Sequence, residues 1–279
     1  MGELQSIVFP DGTAVPALGQ GTWRMGEDPA HRADETAAIR AGIEAGMTVV
    51  DTAEMYGEGD TERFLAEALR GLRDRVFLVS KAYPQNASQA RLRAACEGSL
   101  KRLGTDRLDL YLLHWRGGVP LAETVEGMEA LRDAGLIARW GVSNFDADDI
   151  EDLLDAGGDA CATDQILFNL ARRGPEYDLL PFLEKLSMPC MAYSPVEQGR
   201  FAGNPALGAV AARHGATELQ VALAWLLRRP AVLVIPKAGT VAHVEQNRAA
   251  ADLLLTDDDL RDLDGAFPPA TRKRRLEML

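Results

Sequence analysis

The chain has 279 residues, 47% hydrophobic and 26% charged, which excludes a disordered polymer and allows a large core without disulfide or metal staples. Thirty basic against 42 acidic side chains leave a formal charge of −12, which argues against partners that present nucleic-acid phosphates. Cys96, Cys161 and Cys190 are odd in number and irregularly spaced, no apolar run reaches about 18 residues, and no basic–apolar leader opens the chain, so a reducing, cytoplasmic, membrane-free setting is expected.

Ser6-Ile-Val-Phe9, the turn Pro10-Asp-Gly12 and the run 14–18 read as a hairpin, because Asp-Gly between short apolar runs favours a tight reversal. After it one pattern recurs: a short apolar run ends in polar residues and a helix-periodic stretch follows. The runs are 17–21, 47–51, 76–81, 108–114, 139–143, 160–165, 190–194 and 232–237. The helical candidates are 34–45, 61–72, 88–103, 121–134, 147–156, 177–186, 206–214, 219–227 and 241–251. Eight strands buried on both faces and alternating with helices predict a closed (β/α)8 TIM barrel, with the hairpin covering its N-terminal mouth. No flexible linker interrupts the alternation, so the length prior of two domains gives way to a single domain over 1–279. The tail from Thr271, with Arg272, Lys273, Arg274 and Arg275, reads as solvated.

In such a barrel the chemistry sits at the C-terminal ends of the strands. Polar residues there include Asp51 and Tyr56 after the second run, Lys81 on the third, His114 and Trp115 after the fourth, and Ser143 and Asn144 on the fifth. Gln165 ends the sixth, Tyr193 and Ser194 the seventh, and Lys237 the eighth. A phenol titrates near about 10, poorly matched to proton transfer at neutral pH, and a neighbouring ammonium would lower that value. Tyr56 beside Lys81, with Asp51 pairing the ammonium, therefore makes a candidate general acid or base, and His114 can donate a hydrogen bond to a carbonyl oxygen. Each residue alone also has a bland reading as a cap, loop aromatic, solvated lysine or structural histidine. The four together on one rim are harder to explain as scaffold.

Other chemistries weaken on inspection. His31, His114, His214 and His243 form no i, i+4 pair and lie near no Cys-x-x-Cys, so no metal is expected. Neither a nucleophile elbow nor a Walker motif is present. Gly19-x-Gly21 is followed by Arg24 where a dinucleotide fingerprint needs its third glycine, so a nicotinamide cofactor would need something other than a Rossmann turn. Lys237 ahead of a helix opening near Val241 is one candidate phosphate site, a solvated lysine the other reading.

The segments Asp51-Thr-Ala-x-x-Tyr-Gly57, Val79-Ser-Lys81, Leu112-Leu-His-Trp115, Gly141-Val-Ser-Asn144, Ala192-Tyr-Ser-Pro195 and Ile235-Pro-Lys237 resemble, in order, the aldo-keto reductase family. The resemblance runs from the hairpin to about Asn247. Gly19-Gln-Gly-Thr-Trp23 and Ile235-Pro-Lys-Ala238 look most like the small bacterial members that reduce methylglyoxal and short aldehydes. It implies NADPH-dependent reduction of aldehydes and small ketones by a monomer, with a tetrad of Asp51, Tyr56, Lys81 and His114 and Tyr56 as proton donor. It further implies that Ser143, Asn144 and Gln165 hold the nicotinamide carboxamide, that Tyr193 stacks on the ring with Ser194 beside it, and that Gly21, Thr22 and Trp23 lie at the nicotinamide end. Lys237 and Thr240 would meet the 2′-phosphate and Gln246 and Asn247 the adenine. Trp23 and Trp115 would shape the substrate pocket with Tyr56 and His114.

Two departures stand out. Family members that prefer NADPH commonly carry serine after the lysine and arginine further on, where this chain has Ala238 and His243. Lys237 and Thr240 keep NADPH the favoured cofactor, with NADH a second candidate and Arg248 a possible substitute cation. The loop after His114 and the C-terminal tail are short, which implies an open pocket for small or varied carbonyl compounds. Arg116 is either solvated or a cation at the pocket mouth. Two other functions stay open: a cofactor-binding redox sensor with little turnover, and a barrel hydrolase using Asp51 and Glu54.

Overall fold

The computed structural model describes residues 2–279. Strands β1 (Ser6–Val8) and β2 (Ala14–Pro16) pair antiparallel, with Ser6 opposite Pro16 and Val8 opposite Ala14. Gly12 takes a left-handed φ of 84° in the turn, where Asp11 accepts the Thr13 amide at 3.0 Å. The alternating residues Ile7, Phe9, Val15 and Ala17 are buried. Phe9 stacks on Phe77 with centroids 5.4 Å apart, and the Arg139 guanidinium lies over both rings while bonding Asp11 and Thr13. These contacts seat the hairpin on the N-terminal ends of the barrel strands, as the sequence implies.

The barrel follows as β3 (Gln20–Gly21), α1 (Arg32–Glu44), β4 (Val49–Asp51), α2 (Asp60–Ala68), β5 (Phe77–Ala82), α3 (Gln89–Leu103), β6 (Leu110–Leu113), α4 (Leu121–Asp133), β7 (Trp140–Ser143), α5 (Ala147–Asp155), β8 (Asp164–Leu167), α6 (Leu179–Lys185), β9 (Cys190–Tyr193), α7 (Pro205–His214), α8 (Glu218–Leu227), β10 (Val232–Val234) and α9 (Val241–Ala249). The eight strands β3 to β10 pair parallel in sequence order. Bridges Leu18–Val234 and Gly21–Lys237 join the last strand to the first, with the Gly19 amide donating to Val234 O at 2.8 Å and the Gly21 amide to Pro236 O at 3.0 Å. The strands are buried almost throughout, which explains why they read as continuous apolar runs. The architecture is the (β/α)8 barrel expected. No helix among the described residues is long and apolar enough to cross a membrane.

Three differences have local causes. The second helix ends at Ala68, not at 72, because Gly71 at φ 78° turns the chain. The sixth barrel strand begins only at Asp164, after a loop through Gly157 at φ 87°. A tenth helix, α10 (Asp257–Ala266), has no counterpart in the periodicity reading. It opens with a capping box between Thr256 and Asp259 and docks on α7, where Asp259 accepts from Arg213 and lies 2.7 Å from His214 Nε2.

The basic tail residues Arg272, Lys273, Arg274 and Arg275 are exposed, as expected, but the segment is not free of contacts. Lys273 donates to Asp148 at 2.6 Å, Arg172 pairs with Glu277, and Leu276 packs against the core. All three cysteines are free and buried; burial pushes the Cys96 and Cys161 thiols up to about 12 and moves Cys190 the same way.

The seam where the barrel closes leaves no room for a side chain at Gly19, where an added Cβ would stand 2.9 Å from Val49 O. Gly19→Ala should cost about 1–3 kcal/mol and lower the thermal midpoint by several degrees in a calorimetric scan.

Candidate active site

The C-terminal ends of β4 and β5 place Asp51 and Lys81 side by side inside the barrel, with Asp51 in register with Val79 and Lys81 with Leu112. Lys81 is fully buried, and its ammonium donates to Asp51 Oδ1 at 2.9 Å, Asp51 Oδ2 at 2.8 Å and Thr52 O at 2.8 Å. Thr22 Oγ1 donates to Asp51 O at 2.8 Å, and Gln165 Nε2 reaches across the barrel to Asp51 Oδ1 at 2.8 Å. A buried charge pair is tolerable only when hydrogen bonds complete both partners, and these contacts do so. Burial still pulls the Lys81 ammonium below the usual lysine range, against the opposing pull of Asp51.

Tyr56 opens a tight turn, Tyr56–Gly59, in which Gly57, Glu58 and Gly59 all have positive φ. That turn brings its hydroxyl to 3.4 Å from Lys81 Nζ, with the ammonium 5.0 Å from the ring centre. The expected lowering of the Tyr56 pKa is corrected here. Burial and then the Asp51 charge hold the phenol well above its usual value, because the ammonium spends its donors on Asp51 and Thr52. The resting Tyr56 is therefore a neutral proton donor.

His114 is buried at the end of β6, its ring 6.1 Å from that of Tyr56 and 4.9 Å from that of Trp115. Burial, helped by Lys81, lowers its pKa to about 3, so the imidazole is neutral, and its Nδ1 has no protein partner. Trp115 meets Tyr83 edge-on at 6.1 Å, and Trp23 stands 42% exposed with Arg24 stacked 4.5 Å over it. Tyr83 belongs to this aromatic rim and escaped the sequence reading, since it lies past the end of the third run.

Along the next strands the expected cofactor residues form one bonded cluster. Ser143 Oγ donates to Gln165 O at 2.7 Å. Asn144, at a left-handed φ of 60°, donates to His114 O at 3.0 Å and accepts from the Tyr193 hydroxyl at 2.9 Å. The backbone amide of Leu279 lies close enough to Tyr193 to favour its ionised form, yet burial keeps that phenol raised. Ser194, at φ 48°, starts a loop pinned by the buried Glu197, which accepts from Asn169 at 2.7 Å and from Arg172 and Arg200. Glu197 was not legible as part of the rim, because its partners are distant in sequence.

At the seam Gly21 bridges Lys237, whose side chain is 43% exposed and whose ammonium lies 3.7 Å from Glu35 Oε1. Thr240 caps α9 by accepting the His243 amide at 3.3 Å; His243 and Gln246 are exposed and Asn247 is half-buried. Arg248 is not a substitute cation there: it is 3% exposed and bound to Ala45 O, Gly2 O and Asp252. Arg116 is exposed and paired with Asp149 and Asp152 at 2.6 and 2.7 Å, which agrees with the solvated reading and leaves it less charge to offer at the mouth. The hydrolase reading loses its carboxylates: Asp51 is locked to Lys81, and Glu54 accepts the Tyr83 amide at 2.7 Å and Asn86 at 2.9 Å.

A parallel barrel whose rim joins a buried lysine–aspartate pair to a neutral tyrosine and histidine defines a carbonyl-handling oxidoreductase architecture. Residues 17–267 match the model of the aldo/keto reductase family, and the chain belongs to that family. It is 50% identical over 279 residues to methylglyoxal reductase YeaE of Escherichia coli (strain K12), covering 98% of each chain. An aldo/keto reductase from Klebsiella pneumoniae, solved with NADP and acetate, superposes with a TM-score of 0.96 at 50% identity, covering 99% of this chain and 100% of that one. A second Klebsiella pneumoniae aldo-keto reductase structure, in complex with NADPH, gives a TM-score of 0.95 at 51% identity over 100% of both chains.

With its pKa near 3, His114 should keep the nitrogen shifts of a neutral imidazole from pH 8 down to about 4.5 in a 15N NMR titration. Protonation near the ordinary histidine value would contradict the site as described.

Proposed function

We propose that residues 1–279 form one monomeric, cytoplasmic barrel domain that reduces aldehydes, small ketones and ketoaldehydes such as methylglyoxal with NADPH. The observation that carries the reading is the Lys81 ammonium, bound twice by Asp51 and standing 3.4 Å from the Tyr56 hydroxyl beside a neutral His114. The Escherichia coli relative is a methylglyoxal reductase and the Klebsiella pneumoniae structures hold NADP or NADPH, which supports the same substrate class and cofactor for this chain. Free, buried cysteines fit a reducing compartment.

The residues present fit a nicotinamide cofactor. Ser143, Asn144, Gln165 and Tyr193 form a continuous polar cluster beside Asp51, and the buried His114 Nδ1 lacks any protein partner. Ser143, Asn144 and Gln165 would hold the carboxamide, with Gln165 already giving one N–H to Asp51. Tyr193, Ser194, Gly21, Thr22 and Trp23 would flank the ring, while Lys237, Thr240 and His243 would meet the 2′-phosphate and Gln246 and Asn247 the adenine. When bound, NADPH supplies the hydride that a carbonyl carbon accepts.

The chain's own residues do the rest. The neutral His114 donates to the carbonyl oxygen and orients it. Tyr56 gives that oxygen its hydroxyl proton, and the phenolate left behind is stabilised by Lys81, which is already within reach. Asp51 keeps the ammonium in place while its field shifts toward the phenolate. Asp51, Lys81 and His114 are buried beside the Tyr83–Trp115 pair, so these electrostatic contacts act in a poorly screened space.

Tyr56→Phe should bind NADPH as the unmodified enzyme does and lose at least about 99% of methylglyoxal turnover, as general acid catalysis contributes some 10²–10⁴-fold. Fluorescence titration and an NADPH-oxidation assay over a panel of aldehydes, ketoaldehydes and ketones check both. Retained turnover would remove Tyr56 from its role. In the reverse direction the raised Tyr56 pKa predicts that alcohol oxidation climbs about tenfold per pH unit between about pH 7 and 9, because only the phenolate accepts a proton.

A further inference from the structure

Lys237 is the cation proposed to meet a 2′-phosphate, and it is not free. Glu35, in the first turn of α1, is buried with its side chain 7% exposed, and its Oε1 stands 3.7 Å from Lys237 Nζ. Its Oε2 accepts the Gly26 amide at 2.7 Å, so the carboxylate is anchored and cannot swing away. Gly239, between the lysine and the α9 cap, lies against both: a Cβ there would be 3.5 Å from Lys237 Nζ and 4.0 Å from Glu35 Cγ. The cations that might offset this carboxylate are spent elsewhere, with Arg248 held by Asp252 and backbone oxygens and Arg32 by Glu67 and Gly26 O. His243, on the adjoining turn, is exposed.

We infer that Glu35 is a specificity-determining residue that limits the preference for NADPH over NADH. A phosphate dianion at Lys237 must share the ammonium with a fixed carboxylate and bear its repulsion at short range, whereas a ribose hydroxyl at the same place carries no charge to repel. A carboxylate near this position of a bound ribose favours the hydroxyl and disfavours the phosphate on general electrostatic grounds. The effect falls on binding of the adenosine end, some distance from the tetrad, and so alters cofactor choice without altering the proton-transfer groups. This inference rests on the placement of the 2′-phosphate at Lys237.

Glu35→Gln keeps the acceptor for the Gly26 amide and removes only the charge. Titrating the purified proteins with NADPH and with NADH by quenching of intrinsic tryptophan fluorescence should show NADPH bound about three- to tenfold more tightly by the variant, with NADH binding unchanged. Lys237→Met, run beside it, should weaken NADPH selectively. If Lys237→Met lowers the NADPH preference but Glu35→Gln leaves it unchanged or lowers it, Glu35 only holds the lysine in place and the inference is overturned. If Lys237→Met does not alter the preference, the 2′-phosphate lies elsewhere and the underlying placement fails first. Thermal midpoints within a few degrees of the unmodified protein establish that both variants are folded.

Discussion

Everything at the rim depends on an ammonium and a carboxylate that share the dry interior of the barrel. Moving two charges out of water is costly, and removing one partner would strand the other. The pair survives because four strands contribute to it. β4 and β5 supply the charges, the segment after β3 fixes the Asp51 backbone through Thr22, and β8 sends Gln165 across the lumen to a carboxylate oxygen. The same bonds that stabilise the charges tie opposite walls of the barrel together. They also explain why Tyr56 rests protonated. An ammonium committed to Asp51 and Thr52 O has little left for a phenol until that phenol begins to lose its proton.

The strand and helix order, the hairpin and the four rim residues were legible because each rests on local information. Buried parallel strands are apolar throughout, and a strand's C-terminal end is where polar residues break that run. What was not legible is pairwise and distant. Gln165 and Asp51 are 114 positions apart, and Arg172 and Glu277 are 105. Nothing near Arg248 signals that it points at Ala45 and Gly2, away from the phosphate position, or that Arg116 is taken up by α5. The sign of the Tyr56 shift followed the same limit: an ammonium next to a phenol lowers its pKa only when the ammonium is not already claimed. Helix α10 has a local cap in Thr256 and Asp259 but little apolar periodicity, since only Asp259 and Leu263 of its residues are buried.

The acidic character of the chain is better described locally than by its sum. Most arginines in the molecule are paired one-to-one or shared between carboxylates, as at Glu197, Asp259 and Glu176. Lys237, the cation proposed for the 2′-phosphate, likewise has a carboxylate at its side, with the N-terminal amides of α9 behind Thr240.

The three cysteines carry a consequence for the lifetime of the protein. Reactive carbonyl compounds consume proteins by adding to thiolates, and the rate follows the fraction of sulfur that is ionised and accessible. With Cys96 and Cys161 held at about 12, Cys190 raised likewise, and all three beneath the surface, the chain offers almost no thiolate to such electrophiles. A barrel that handles electrophilic carbonyl compounds is thereby spared hemithioacetal formation at its own sulfur.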